Sequence, residues 1–263
     1  MDKKNFPIGI IDSGVGGLTV LKAINKMLPC EDIIYLGDTA HLPYGAKSED
    51  TITRLAISNM LFLINKKVKM AILACNSTSS VALPKIKDFF SLPVMGVVEA
   101  GVQTALRKDY RRIGVIGTPA TIRSCAYQDL LKAKNPGVKV SACSCPLFVP
   151  LVEQGWISLP VSVQIARIYL NKFKDRIDAL ILGCTHYPLL KETIKKVLPK
   201  VDLIDSAQAM AGKVKGQLEQ SRLIKEGGKG KIKVYLTDQA PNFGKLARMI
   251  LKRSIKPELI NNV

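Results

Sequence analysis

Short apolar runs alternate with amphipathic stretches along the chain, the pattern of an α/β protein. Ile8-Gly9-Ile10-Ile11-Asp12 predicts a buried strand, and Gly14-Val15-Gly16-Gly17 a turn into a helix over residues 18–27. A second strand is predicted over residues 33–38. Ile52, Leu55, Ala56, Met60 and Leu63 recur at helical spacing within residues 50–66. Residues 70–74 predict a third strand that ends at Cys75, and residues 94–98 a fourth.

The pattern then restarts. Arg112-Ile113-Gly114-Val115-Ile116-Gly117-Thr118 resembles the segment 7–13, and Ala179-Leu180-Ile181-Leu182-Gly183-Cys184-Thr185 resembles the segment 70–76. The two offsets are similar and occur in the same order, which argues for a duplicated α/β unit. Each cysteine segment is expected to enter a helix, over residues 83–90 and 189–197, and then a strand, at Val94 and over residues 201–204. A strand over residues 232–236 and a helix over residues 243–252 follow the loop Gly227-Gly228-Lys229-Gly230. The expected fold is therefore two similar domains with mostly parallel sheets flanked by helices and an active site in the cleft between them. The first domain would take residues 1–98 and the returning segment 212–263, the second residues 99–211.

Composition narrows the chemistry. Two histidines, His41 and His186, exclude a three-histidine zinc site within the chain. A chain of 263 residues is long enough to bury a real core, which argues against reading its six cysteines as a disulfide scaffold. No signal-peptide core and no membrane-spanning apolar run is present, so a cytoplasmic location is expected. The formal charge is +18, and residues 213–263 hold 12 Lys or Arg against four Asp or Glu. No arginine-rich run, stacking aromatic motif or zinc finger accompanies that charge. It reads as a solvated basic face, one that raises the encounter rate with small anions, rather than a nucleic-acid site.

Cys75 and Cys184 each follow an apolar strand, where open α/β sheets bind ligands. A helix N-terminus at such a place is expected to lower a thiol pKa. Two thiols at matching places suit racemisation without a cofactor, in which one group removes a Cα proton and the other protonates the opposite face. Cys30, Cys125, Cys143 and Cys145 read as structural, with Cys125 inside a helix. Asp12 either caps a helix or assists a thiol or a substrate ammonium. His186 could exchange a proton with Cys184 two residues away. Gly14 to Gly17 lack the full dinucleotide-binding spacing. A Cys-His hydrolase on Cys184 and His186 is the competing enzyme class, and it leaves Cys75 unexplained. A nucleic-acid-binding or regulatory protein is the competing class outside catalysis.

Asp12-Ser13-Gly14-Val15-Gly16-Gly17, Pro43-Tyr44-Gly45, Ala74-Cys75-Asn76 and Gly183-Cys184-Thr185-His186-Tyr187-Pro188-Leu189-Leu190 resemble the motifs of the bacterial glutamate racemases, in the aspartate/glutamate racemase superfamily. The resemblance covers residues 8–211. It implies two domains facing across a cleft, glutamate as substrate, no cofactor, no metal, D-glutamate for peptidoglycan and a homodimer. It implies that Cys75 acts on the Cα proton of D-glutamate with help from Asp12. Cys184 would act on that of L-glutamate with His186 and Glu153, which lies in Pro150-Leu151-Val152-Glu153-Gln154-Gly155. Ser13, Tyr44, Gly45, Asn76, Ser77, Thr118, Thr121 and Thr185, with Asp12 and His186, would hold the carboxylates and the ammonium. By spacing alone Glu153 reads as an exposed helix glutamate. Ser77-Thr78 stands where Thr-Ala is common, His41 where arginine is frequent, and Ala100 follows Glu99 where proline is frequent. These departures leave aspartate or broad acidic amino-acid racemisation as the near alternative. A DNA gyrase contact, suggested for some relatives, is the remote one.

Overall fold

The computed structural model describes residues 2–260. In chain order the elements are β1 (Ile8–Asp12), α1 (Leu18–Met27), β2 (Ile33–Gly37), α2 (Glu49–Asn65), β3 (Met70–Leu73), α3 (Asn76–Val81), α4 (Leu83–Ile86), β4 (Val94–Gly96) and α5 (Val97–Ala105). Then come β5 (Arg112–Gly117), α6 (Pro119–Arg123), α7 (Ala126–Lys134), β6 (Lys139–Ser144), α8 (Phe148–Glu153), α9 (Pro160–Leu170), β7 (Ala179–Gly183), α10 (Lys191–Val197) and β8 (Asp202–Ile204). The chain closes with α11 (Ala207–Gln220), β9 (Ile232–Leu236), α12 (Phe243–Leu251) and β10 (Glu258–Leu259).

Two separate parallel sheets form, ordered β10-β9-β2-β1-β3-β4 and β6-β5-β7-β8. β1, β2, β3 and β7 are buried at every position, which is why they read as unbroken apolar runs rather than alternating ones. On one face of the first sheet, Leu18, Leu21 and Ile24 of α1 pack with Met210 and Val214 of α11 and Leu246 and Ile250 of α12. On the other face lie Ile52, Ala56, Met60 and Leu63 of α2. The second sheet is covered by α9 and α10 on one face and by α5 and α7 on the other. β9 returns from the end of the chain to pair with β2. The divisions at 98/99 and 211/212 fall inside α5 and α11, two helices that pack on each other and on α1 through α11.

Several local readings are corrected. The apolar run 94–98 is a strand only to Gly96; Val97 and Val98 open α5, which is itself buried, so hydrophobicity alone did not mark the change. Helix α3 begins at once after Cys75, in a Ser/Thr-rich stretch, and residues 83–90 break into the short α4 and a 3₁₀ turn. The predicted helix 189–197 is a 3₁₀ turn from Tyr187 to Leu190 followed by α10. Cys125 is not inside a helix: it is exposed, with φ 55°, at the position preceding α7.

At the end of the first sheet away from the cysteines, Lys69 and Glu31 form a fully buried pair, with Nζ 2.5 Å from Oε2. Lys69 also donates to the carbonyls of Lys4 and Leu223, both at 2.8 Å, and Glu31 Oε1 accepts the Lys225 N–H at 2.8 Å. This cluster ties the N-terminal turn and the segment before β9 to the sheet.

Candidate active site

Four central strands deliver the chemistry. β1 ends in Asp12 and β3 leads to Cys75 in the first sheet; β5 leads to Thr118 and β7 to Cys184 in the second. The turns beyond them line one small pocket. From the first unit come Ser13, Leu42, Pro43, Tyr44, Gly45, Cys75, Asn76 and Ser77, and from the second Thr118, Val149, Cys184, Thr185 and His186. The two cysteines therefore face a common space from opposite sheets.

Glycines allow the walls to approach. A Cβ on Gly45 would lie 2.6 Å from Thr118 Cγ2, and one on Gly16 would lie 2.7 Å from His186 Nδ1. Hydrogen bonds cross the same seam. The hydroxyls of Ser77 and Thr118 are 2.8 Å apart, Tyr127 OH donates to Asn76 Oδ1 at 2.6 Å, and Thr185 Oγ1 donates to Asp12 Oδ1 at 3.1 Å.

The two thiols have different surroundings. Burial, reinforced by the Asp12 charge, pushes Cys75 up to about 11, against the lowering influence of the Thr78 backbone and side chain. The expectation that a helix start would lower this thiol is thus overturned: desolvation outweighs the local donors. Asp12, fully buried, is itself raised by burial, with His186 and the N–H groups of Gly17 and Gly14 opposing. Beside Cys184 stands His186, with Nδ1 3.9 Å from the sulfur and Nε2 2.5 Å from Glu153 Oε1. Burial works against a charged imidazole, but the bonds and charges of Cys184 and Glu153 outweigh it and lift His186 well above 6.5.

The structure brings most nominated residues to the pocket wall and puts three just behind it. Asp12 supports Thr185 and the Gly14 N–H, Thr121 hydrogen-bonds Thr118 at 3.1 Å, and Glu153 reaches the site through His186. Glu153 is not the exposed helix residue that its spacing suggests: its side chain is 19% exposed. Three supporting residues were not legible. Asp38 accepts from Tyr44 OH and from Thr237 Oγ1 at 2.7 Å, Asn59 donates to Tyr44 OH at 3.0 Å, and Tyr127 holds Asn76. Asp38 directly after an apolar strand, at the same place as Asp12, was the one available signal. Among the described residues no group of three or more His, Cys, Asp or Glu is placed to hold a metal ion.

The family model described as Asp/Glu/Hydantoin racemase matches residues 8–214. Glutamate racemase of Aquifex aeolicus is 46% identical over 257 residues, covering 97% of this chain and 98% of that protein. Glutamate racemase of Thermus thermophilus is 44% identical over 256 residues, covering 96% of this chain and 95% of that protein. Among solved structures, glutamate racemase of Francisella tularensis in complex with D-glutamate superposes with a TM-score of 0.93 at 39% identity, over 99% of this chain and 98% of that one.

Proposed function

The chain belongs to the Asp/Glu/hydantoin racemase family and acts as a racemase, and we propose that it interconverts L- and D-glutamate by proton transfer between two thiols. The observation that carries this reading is Cys75 and Cys184 lining one pocket from two separate sheets. In the L-to-D direction the Cys184 thiolate removes the Cα proton on one face. The Cys75 thiol then delivers its proton to the other face and is left as thiolate. The reverse reaction exchanges the roles, so each turnover ends with the proton on the opposite sulfur.

A substrate Cα–H is far less acidic than a thiol, so the negative charge that develops must be stabilised. The N–H and hydroxyl groups of Ser13, Tyr44, Gly45, Asn76, Ser77, Thr118 and Thr185 are grouped to hold two carboxylates, with Thr121 orienting Thr118. Exclusion of water from a narrow pocket strengthens each of these contacts. Asp12 acts beside Cys75, while His186, backed by Glu153, stabilises the Cys184 thiolate. On this reading the units are residues 1–98 with 212–263, and 99–211, working as a homodimer in the cytoplasm and supplying D-glutamate for peptidoglycan.

Incubation with L-glutamate in deuterated water tests the proposal. D-glutamate carrying deuterium at Cα is expected, with general acid–base loss of about 10²–10⁴-fold in Cys75→Ser and Cys184→Ser. Full activity in the double variant overturns the mechanism. Aspartate run in parallel tests the near alternative, because one methylene changes binding by only about 1–3 kcal/mol.

A further inference from the structure

Helix α3, which follows Cys75, carries four consecutive hydroxyls, and three of them have partners. Ser77 meets Thr118 across the seam, Ser79 Oγ accepts the Val98 N–H at 3.3 Å, and Ser80 donates to the Asn76 carbonyl at 2.7 Å. Thr78 alone has none among the described residues, although it is completely buried. A buried hydroxyl without a partner is costly and rare in folded proteins, and it calls for a group that can pair with it in another state of the molecule. Cys75 is the N-cap of α3 and Thr78 its third residue, so the Thr78 N–H and hydroxyl lie on the turn that carries the sulfur, where both favour its charged form.

We propose that Thr78 donates its hydroxyl to the sulfur of Cys75 when that sulfur is a thiolate, stabilising the form that removes the Cα proton of D-glutamate. The inference rests on Cys75 being one of the two bases. With Cys75 as a neutral thiol the Thr78 hydroxyl is idle; with the sulfur charged, it completes a pair of donors together with its own N–H. The charged and titratable groups that face Cys75 otherwise oppose ionisation or are remote from it in the chain. These are Asp12 from β1, Tyr35 from β2, Tyr44 from the loop after β2, and Cys184 beyond β7. Burial opposes ionisation too. A local donor is therefore the available means of making the thiolate accessible, and Thr78 is the residue in position to be one.

Thr78→Val keeps the shape and removes the hydroxyl; Thr78→Ser keeps a hydroxyl. The rate of Cys75 alkylation by iodoacetamide is followed as a function of pH by mass spectrometry of the tryptic peptide 70–85, which holds no other cysteine. In Thr78→Val the profile is expected to move to higher pH, with alkylation about tenfold slower near neutrality, because a hydrogen bond to the charged form is lost. The acidic limb of kcat/KM for D-glutamate moves the same way, and Thr78→Ser restores both. The thermal midpoint of Thr78→Val does not fall, since the hydroxyl has no partner in the resting state. Superimposable alkylation profiles for wild type and Thr78→Val overturn the proposal. Racemisation retained by Cys75→Ser overturns instead the two-thiol reading, and the alkylation profile distinguishes the two failures.

Discussion

Glu153→Gln isolates the contribution of one charge to the Cys184 side of the site. Glutamine preserves the length, the planar group and an acceptor oxygen for His186 Nε2, which lies 2.5 Å from Glu153 Oε1. The main chain there is held independently, because Asn242 Nδ2 donates to the Glu153 carbonyl at 2.8 Å. What is lost is the carboxylate charge opposite the imidazolium, whose own charge remains. Ionised partners roughly double a hydrogen bond worth about 1.5–3 kcal/mol, so removing one of the two charges costs about 1–1.5 kcal/mol. If the imidazolium supports the Cys184 thiolate in the rate-determining step, kcat/KM for L-glutamate falls about five- to twelve-fold. The pKa of His186 drops as one of its supporting charges is removed, so the alkaline limb of the pH profile moves to lower pH. The assay is initial-rate polarimetry or circular dichroism on purified variant and wild type across pH, with melting curves as a control. A variant with kcat/KM within about twofold of wild type and an unmoved alkaline limb refutes the role assigned to this pair.

Gly45→Ala places a methyl against Thr118 at the seam; overpacking of this kind costs about 1–3 kcal/mol, so kcat/KM falls and the melting temperature drops by a few degrees. Lys69→Met leaves the buried Glu31 carboxylate without its counter-charge, and urea unfolding should show a loss of about 3–5 kcal/mol, part of which returns in the Lys69→Met/Glu31→Gln double variant. His186 has a raised folded pKa, so its contribution to stability is complete below 6.5 and is lost as pH rises through the folded value. His186→Asn should flatten that alkaline decline in chemical unfolding curves measured over pH.

The fold was legible where burial is simple. β1, β3, β5 and β7 are covered on both faces, so they stand out as short continuous apolar runs, and their order along the chain anticipates two parallel sheets. β6 was not read, because it is an edge strand of mixed composition whose residues are exposed or half-buried. Helix α3 was missed for a different reason: its serines and threonines mark loops by propensity, yet here they bond across the seam or to their own turn. The cysteines and His186 were readable because strand ends position ligands in this architecture. Glu153 was not, since its partner lies 33 positions away and only the folded chain brings α8 against the turn after β7. The thiol environment was misjudged for Cys75: sequence shows the adjacent helix start but not the complete burial that outweighs it.

The two walls are alike in backbone and unlike in chemistry: a raised carboxyl and the Thr78 turn lie on the Cys75 side, an imidazole with its own carboxylate attends Cys184. Enantiomers in an achiral solvent have equal free energy, so the equilibrium constant of racemisation is unity. By the Haldane relation, kcat/KM must then be identical for the two substrates whatever the walls contain. Their asymmetry can surface only in the separate constants, with kcat and KM for one enantiomer scaled by the same factor relative to those for the other. Any substitution confined to one wall, however large its effect, must therefore slow both directions equally at low substrate, and its sidedness becomes visible only at saturation.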